Sequence, residues 1–183
     1  MQKDLKALSE LYSRIIVESS GRKVIEGDVD LAKLFLKELP KWLTGVEVTG
    51  VFDCSNNLLT SLQGAPKSVG SFYCHSNKLT SLQGAPESVG EDFQCQSNRL
   101  TSLQGAPRNI EGVFYCPNNR LTSLQGAPES VGGDFFCAKN KLTSLQGAPE
   151  IIGGDFYCYS NPVSFTKRDV RAVSKVRGSI TIR

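Results

Sequence analysis

Six cysteines are the residues of this chain with the widest chemical range, since thiols serve as metal ligands, redox pairs and nucleophiles. They recur at an interval of 20 residues once and then of 21 residues four times: Cys54, Cys74, Cys95, Cys116, Cys137 and Cys158. No pair has the CxxC spacing typical of zinc or redox sites, and His75 is the only histidine in the sequence. The cysteines therefore predict neither a metal site nor a bound cofactor.

Their regular spacing gives the thiols a structural interpretation instead. Equivalent residues in stacked strands lie about 4.8 Å apart, whereas the Cβ atoms of a disulfide lie about 3.8 Å apart. Free cysteine packs as a small hydrophobe, so we expect six reduced, buried thiols that fill the core. A single histidine, with no nucleophile or phosphate-binding motif near it, also predicts a protein that is not an enzyme.

An internal repeat positions the cysteines. The sequence LTSLQGAP occurs five times, starting at Leu59, Leu79, Leu100, Leu121 and Leu142. A period near 21 residues predicts a solenoid of stacked units. Aligned on cysteine, the unit reads VGxDFxCxxNxLTSLQGAPxS, in which Phe-x-Cys has the alternation of a short strand. The asparagine that follows needs partners for its buried amide, and we expect them in the backbone of neighbouring turns.

The unit resembles the leucine-rich repeat, whose strand segment runs LxxLxLxxNxLxxL. Phe93 and Cys95 stand at the strand leucine positions, Asn98 at the asparagine position, and Leu100 and Leu103 at the leucines that follow. The short, proline-bearing unit is most similar to repeats of bacterial and tailed-phage proteins. The resemblance implies an α/β solenoid dominated by β structure, with short parallel strands on a concave face.

Three segments are predicted along the chain. Residues 1–50 form an N-terminal cap, made of an amphipathic helix and a degenerate first repeat from Val24 to Leu39. Residues 51–163 form the repeat array, and residues 164–183 form a basic C-terminal cap. The last segment carries six Lys or Arg and one Asp, a charge of +5; since the whole chain is +3, the remainder is −2.

Periodicity predicts how the two caps cover the solenoid. The N-terminal helix extends to about residue 18, with its inward face at Leu5, Leu8, Tyr12, Ile15 and Ile16. At the other end, Thr166 is expected to cap a helix from Lys167 to about Val176. Its inward face is predicted to be Val170, Val173 and Val176, with Gly178 as its end and a short strand over residues 179–183.

The outward strand positions form the first candidate site, and four of the six residues between Phe and Cys are aromatic. Between Phe and Cys the units carry Asp53, Tyr73, Gln94, Tyr115, Phe136 and Tyr157. Directly after Cys they carry Ser55, His75, Gln96, Pro117, Ala138 and Tyr159. Tyrosine-rich surfaces are typical of protein recognition, so we expect a partner protein here; strand propensity and stacking of rings along a parallel sheet explain the same residues without a ligand.

A line of cations forms the second candidate site, a basic rim one residue past each asparagine: Lys78, Arg99, Arg120 and Lys141. Such a line could follow a phosphate backbone, or it could be a solvated edge that maintains solubility. The first alternative, weak nucleic-acid binding with help from the C-terminal helix, is the less favoured one.

The sequence leaves one structural alternative open. Ile16-Val17-Glu18-Ser19 resembles the head-protease cleavage pattern of large tailed phages, which implies processing after Glu18 and a virion or assembly component that contacts other subunits. The sequence has no apolar run that predicts a membrane span or a secretion signal. We therefore expect a cytoplasmic location, in the host cytosol or in a virion.

Overall fold

Short parallel strands stack along the chain in two ladders. The computed structural model describes residues 2–183, with side chains from residue 8 onward. Its helices are α1 (Gln2–Ser13), a 3₁₀ helix (Lys41–Leu43) and α2 (Lys167–Val173). Its strands are β1 (Ile16–Val17), β2 (Lys23–Ile25), β3 (Val29–Asp30), β4 (Val46–Asp53), β5 (Ser68–Tyr73), β6 (Ser88–Val89), β7 (Phe93–Gln94), β8 (Asn109–Ile110), β9 (Phe114–Tyr115), β10 (Ser130–Val131), β11 (Phe135–Phe136), β12 (Ile151–Ile152), β13 (Phe156–Tyr157), β14 (Lys175–Val176) and β15 (Ile180–Thr181).

The two ladders make a parallel β-solenoid of about eight turns, each of about 21 residues. The phenylalanine ladder runs through β3, the end of β4, the end of β5, β7, β9, β11, β13 and β15. The valine ladder runs through β2, the start of β4, the start of β5, β6, β8, β10, β12 and β14. The predicted solenoid of short parallel strands is confirmed. The second ladder is an addition, since the sequence pattern had indicated a single strand per unit.

Stacked apolar columns fill the space between the ladders. Six phenylalanines are fully buried, and neighbouring ring centroids lie 5.3–5.8 Å apart along the column. Beside them all six thiols are free and buried, as their spacing predicts. Burial raises the pKa of the Cys95 and Cys116 thiols, because a thiolate in the core would lose its hydration. Cys95 and Cys116 therefore fill volume in the core, where burial favours the protonated thiol.

The asparagine column bonds each turn to its neighbours, as predicted. Asn119 is buried, and its Nδ2 donates to the carbonyl oxygens of Cys95 in the preceding turn, at 3.1 Å, and of Cys116 in its own turn, at 3.2 Å. Its Oδ1 accepts from the N–H of Leu100 at 3.0 Å. One side chain thus satisfies backbone groups of two turns where the strand bends into the loop.

A tight corner joins the two ladders in each turn. The carboxylate Oδ1 of Asp134 accepts the backbone N–H of Asp155 at 2.7 Å, and Asp155 repeats this with Ser179 at 2.6 Å. The glycines beside these carboxylates leave no room for a side chain: a Cβ on Gly154 would lie 2.1 Å from the Asp134 Oδ1. The GGD sequence is thus a stacking corner.

The N-terminal segment differs from the predicted long helix. Helix α1 ends at Ser13, and Ile16–Val17 forms a strand that pairs antiparallel with Lys23–Ile25. Tyr12 and Ile16 are exposed, at 59% and 47%, and among the helix side chains from residue 8 onward Leu11 is buried in the core. Leu8 and Ile15 do pack against the core, whereas the side chain of Leu5 lies outside the described residues.

The C-terminal segment also differs from its prediction. Thr166 does cap α2, in a capping box with Asp169, but the helix ends at Val173, and Val173 is 40% exposed. Val170 is buried and Val176 packs against the core. Lys175–Val176 and Ile180–Thr181 then add one more strand to each ladder, so Gly178 is a corner glycine of that turn and does not end the helix.

Candidate protein-binding surface

The outward residues of the phenylalanine ladder form the aromatic column: Tyr73, Gln94, Tyr115, Phe136 and Tyr157. Each is paired in register with the next, because the inward phenylalanines fix the strands and period-2 alternation turns the following residue outward. All five side chains are half-buried. The structure therefore brings these predicted partner-binding residues together on one face.

Three rings of this column are in contact. The centroids of Tyr115 and Phe136 lie 4.8 Å apart, and those of Phe136 and Tyr157 lie 4.3 Å apart with nearly parallel planes. Gln94 separates Tyr73 from this group, since it occupies the strand position between Tyr73 and Tyr115. The result is a continuous aromatic strip in the last three repeats with one more tyrosine two strands away.

Carboxylates border the aromatic column at the corner between the ladders: Glu91, Asp92, Glu111, Asp134 and Asp155. The Tyr157 hydroxyl donates to Asp155 Oδ2 at 2.8 Å, and this bond raises the pKa of Tyr157. The N–H of Ser179, and then the Tyr157 hydroxyl, lower the pKa of the Asp155 carboxyl. This side of the molecule therefore combines apolar rings with negative charge.

The second outward position, directly after cysteine, is only partly a surface. Ser55, Pro117 and Ala138 are buried, contrary to the expectation that this whole column faces solvent. His75 and Tyr159 are half-buried and remain on the face. The His75 Nδ1 lies 3.2 Å from the Ser76 Oγ, and burial lowers the pKa of this imidazole, which favours its neutral form. His75 thus adds a polar ring rather than a charge.

The basic rim lies beyond the asparagine column, and its four side chains are exposed. The backbone N–H of Arg99 donates to Leu79 O, that of Arg120 to Leu100 O and that of Lys141 to Leu121 O, each at 2.9 Å. These bonds hold the cations in line, one per turn. Within the described part of the chain, no ion pair involves them; the pairs present are those of Arg22 with Glu18 and Glu47 and of Arg108 with Glu129.

Two residues near the basic rim were missed by the sequence interpretation. Lys139 is exposed two positions after Cys137 and adds a fifth cation beside Lys141. Phe35 is 77% exposed. In the first turn it occupies the repeat position that Lys78 and Arg99 occupy in later turns. Counting from Leu31, which stands at the cysteine position, would have found it.

The proposed processing residue, Glu18, lies in an exposed turn between β1 and β2. Its N–H donates to Arg22 O at 2.9 Å, and Gly21 has a positive φ of 81°. Exposed turns are the preferred sites of proteolytic nicking. Cleavage after Glu18 stays a prediction, and it would detach α1 and β1 from the edge of β2.

No family model matches this chain, and no curated protein or solved structure shows significant similarity to it. Across residues 2–183 the structure has no helix long and apolar enough to cross a membrane. Within the same residues no group of three or more His, Cys, Asp and Glu side chains is placed to hold a metal ion.

Proposed function

We propose that this protein is a non-enzymatic binding module of the leucine-rich-repeat type, which holds a partner protein on its aromatic column. The observation that carries this proposal is the contiguous strip of Tyr115, Phe136 and Tyr157, whose three rings are in contact and half-buried. Aromatic rings supply contact area at a low cost in side-chain entropy and are enriched at the centres of protein interfaces.

The charges around the strip define the chemistry of the partner. The corner carboxylates, among which Glu91 and Glu111 are exposed, favour a surface that carries Lys or Arg around an apolar centre. The carboxylates would attract the basic groups at the border of the partner's contact surface, and the aromatic rings would bury its apolar centre. The fitting partner is therefore a protein whose exposed apolar patch has a basic border.

The leucine-rich-repeat assignment is supported by the FxCxxNxL motif and by the asparagine bonds to the preceding turn. The valine ladder lies in the segment opposite the phenylalanine strands, where the leucine-rich-repeat resemblance implies irregular or extended backbone. The origin among bacterial or tailed-phage proteins rests on the similarity of the repeat unit.

The proposal is tested by affinity capture from lysate of the native host, with the triple variant Tyr73→Ala, Tyr115→Ala and Tyr157→Ala. The matched control carries Ser88→Ala, Asn109→Ala and Ser130→Ala, three outward residues of the valine ladder. We expect a partner that is retained by wild type and control and lost with the tyrosine variant. A partner retained equally by all three proteins would place the binding site elsewhere.

A second function, assembly into a larger particle, is favoured by the open end of the solenoid. Within the described residues, β14 pairs only with β12 and β15 only with β13, which leaves one edge of each free to add a strand. Recovery of capsid or tail proteins that bind the control and the tyrosine variant alike would support this function instead.

A further inference from the structure

Charge is segregated around the coil. We define the rim face as the residues two, four and six positions after each cysteine of the first five repeats. It carries Lys78, Arg99, Arg120, Lys139 and Lys141 and a column of exposed threonines, Thr60, Thr80, Thr101, Thr122 and Thr143. The nine carboxylates of residues 51–163 all lie elsewhere: Asp53, Glu87, Glu91, Asp92, Glu111, Glu129, Asp134, Glu150 and Asp155.

The cations of the rim face repel one another. Backbone bonds of 2.9 Å between turns keep Arg99, Arg120 and Lys141 at the ladder spacing of about 4.8 Å. Among the described side chains, none of the ion pairs neutralises this row. A ligand that places negative charges along the same line reduces the repulsion between these cations. A phosphate backbone has this geometry.

An exposed aromatic residue continues the row. In the first two turns the same column holds Phe35 and then the half-buried Leu58. Phe35 is 77% exposed and its φ is +56°, a left-handed conformation that is unusual for a bulky side chain. The exposed Phe35 ring therefore lies beyond Leu58, at one end of the line of cations.

Helix α2 extends the positive surface at the other end. Lys167, Arg168 and Arg171 are exposed on it, and Asp169, Ala172 and Val173 line a surface groove together with residues 144–146 of the last LTSLQGAP segment. The helix therefore lies beside the rim face where the row of cations ends at Lys141.

We propose that the rim face binds single-stranded nucleic acid, with phosphates on the cations and a base stacked on Phe35. A row of positive charge combined with an exposed ring is the arrangement by which proteins hold single strands without sequence preference. In a duplex the base faces are already stacked, so the ring favours a single strand. This site is separate from the aromatic column, whose carboxylate border repels phosphates.

Fluorescence anisotropy with a short labelled oligothymidylate, titrated over a range of salt concentrations, tests the charge component. The double variant Arg99→Gln, Arg120→Gln is compared with Lys67→Gln, Lys175→Gln, which removes the same charge from exposed residues on the valine-ladder side. We expect at least tenfold weaker binding for the rim variant, and a salt slope that is smaller by about 1.4, from about 0.7 per phosphate contact. The control should bind within about twofold of wild type.

Phe35→Ala and Phe35→Trp test the stacking component. Loss of one base stack is expected to weaken binding about tenfold without a change in the salt slope, and Trp should restore it. Circular dichroism of each variant confirms the fold. The triple tyrosine variant of the aromatic column should keep full affinity for the oligonucleotide, which separates this site from the proposed protein-binding face.

Three results would overturn the proposal. If the rim variant and its charge-matched control lose affinity equally, the oligonucleotide is attracted by the overall charge of the protein and not by the rim face. Duplex DNA or heparin bound as tightly as the single strand, with no effect of Phe35→Ala, would show a general polyanion surface. The absence of saturable binding at low salt would show that the rim face does not hold a polyanion.

Discussion

The Asn98 side chain and the Cys74 carbonyl join two successive turns of the solenoid. The Asn98 Nδ2 donates to this oxygen at 3.0 Å, while its Oδ1 accepts the N–H of Leu79 at 3.0 Å. The amide is buried at 8% exposure. Because both of its ends bond the preceding turn, this one side chain fixes the spacing between neighbouring units.

Asn98→Ala is therefore expected to destabilise the protein. The substitution leaves the Leu79 N–H buried without a partner, and we expect a loss of about 2–4 kcal/mol in the free energy of unfolding. Asn98→Asp keeps the acceptor oxygen but places a carboxylate against the carbonyls of Cys74 and Cys95, so it should be no better tolerated. Urea unfolding followed by circular dichroism measures both.

Gln104→Ala is the control for this comparison, since Gln104 is exposed in the same unit. It should change stability by less than about 0.5 kcal/mol. A loss for Asn98→Ala that is no larger than that for Gln104→Ala would contradict the role assigned to the asparagine column.

The corner glycines provide a second prediction, because two of them occupy the same repeat position in different surroundings. A Cβ on Gly153 would lie 2.0 Å from Gly132 O, whereas a Cβ on Gly90 would meet Gly70 O at 3.8 Å, an ordinary contact. Gly153→Ala should cost about 1–3 kcal/mol through forced separation of the turns. Gly90→Ala should be neutral or stabilising by up to about 1 kcal/mol.

Thermal or urea unfolding of Gly153→Ala and Gly90→Ala, measured side by side, tests whether the first substitution costs more stability than the second. Equal effects at both positions would mean that the close stacking of Gly153 on Gly132 does not limit the spacing of the turns.

These comparisons also show which parts of the fold the sequence can predict. The columns of Phe, Cys and Asn were predictable because each unit repeats the same inward residues, so the period alone places them. The valine ladder was not, because a two-residue strand such as Ser88–Val89 is too short for alternation to be visible. Its pairing depends on the stacking corner, which only the packing of neighbouring turns specifies.

The N-terminal and C-terminal caps were harder to predict, because each occurs once in the chain and no repeat reveals its pattern. Ile16 fits a helical pattern with Tyr12, yet pairing with Val24 draws it into a hairpin, so tertiary contact overrides local preference. Phe35 was missed for a related reason: its turn occurs once, and the position four residues after Leu31 carries an aromatic residue where later turns carry Lys or Arg. Burial of Pro117 and Ala138 likewise depends on how turns pack and not on strand alternation.

The buried thiols give a prediction for alkaline pH. Burial raises the pKa of Cys54, Cys74, Cys95 and Cys116 above the ordinary thiol value. Their contribution to stability is fully present below the unfolded pKa of about 8.5 and is lost as pH rises beyond it, because only the unfolded chain can then ionise. Urea midpoints should therefore fall between about pH 8 and pH 10.

Thiol labelling checks the same point without unfolding the protein. Native protein should react with a thiol reagent far more slowly than urea-unfolded protein at the same pH, and Cys95→Ala should not change the native rate. Rapid labelling of Cys95 or Cys116 in the native state would show that the thiols are not enclosed between the ladders.

Asp155 gives the opposite pH dependence. The Ser179 N–H and the Tyr157 hydroxyl lower the pKa of this carboxyl in the folded protein. A carboxyl with a lowered folded pKa contributes stability above its unfolded pKa of about 3.9, and that contribution is lost as pH falls through the folded value. Asp155→Asn should therefore be less stable than wild type near neutral pH, with a difference that shrinks in acid.

Urea midpoints of wild type, Asp155→Asn and the exposed control Glu87→Gln, measured from about pH 7 down to about pH 3, test this dependence. The control should follow wild type throughout, because Glu87 lies on the valine-ladder side, away from the corner. A constant difference between Asp155→Asn and wild type over the whole range would show that the side chain acts through packing alone. In that case the last turn, residues 175–181, would not depend for its position on the charged hydrogen bonds of Asp155.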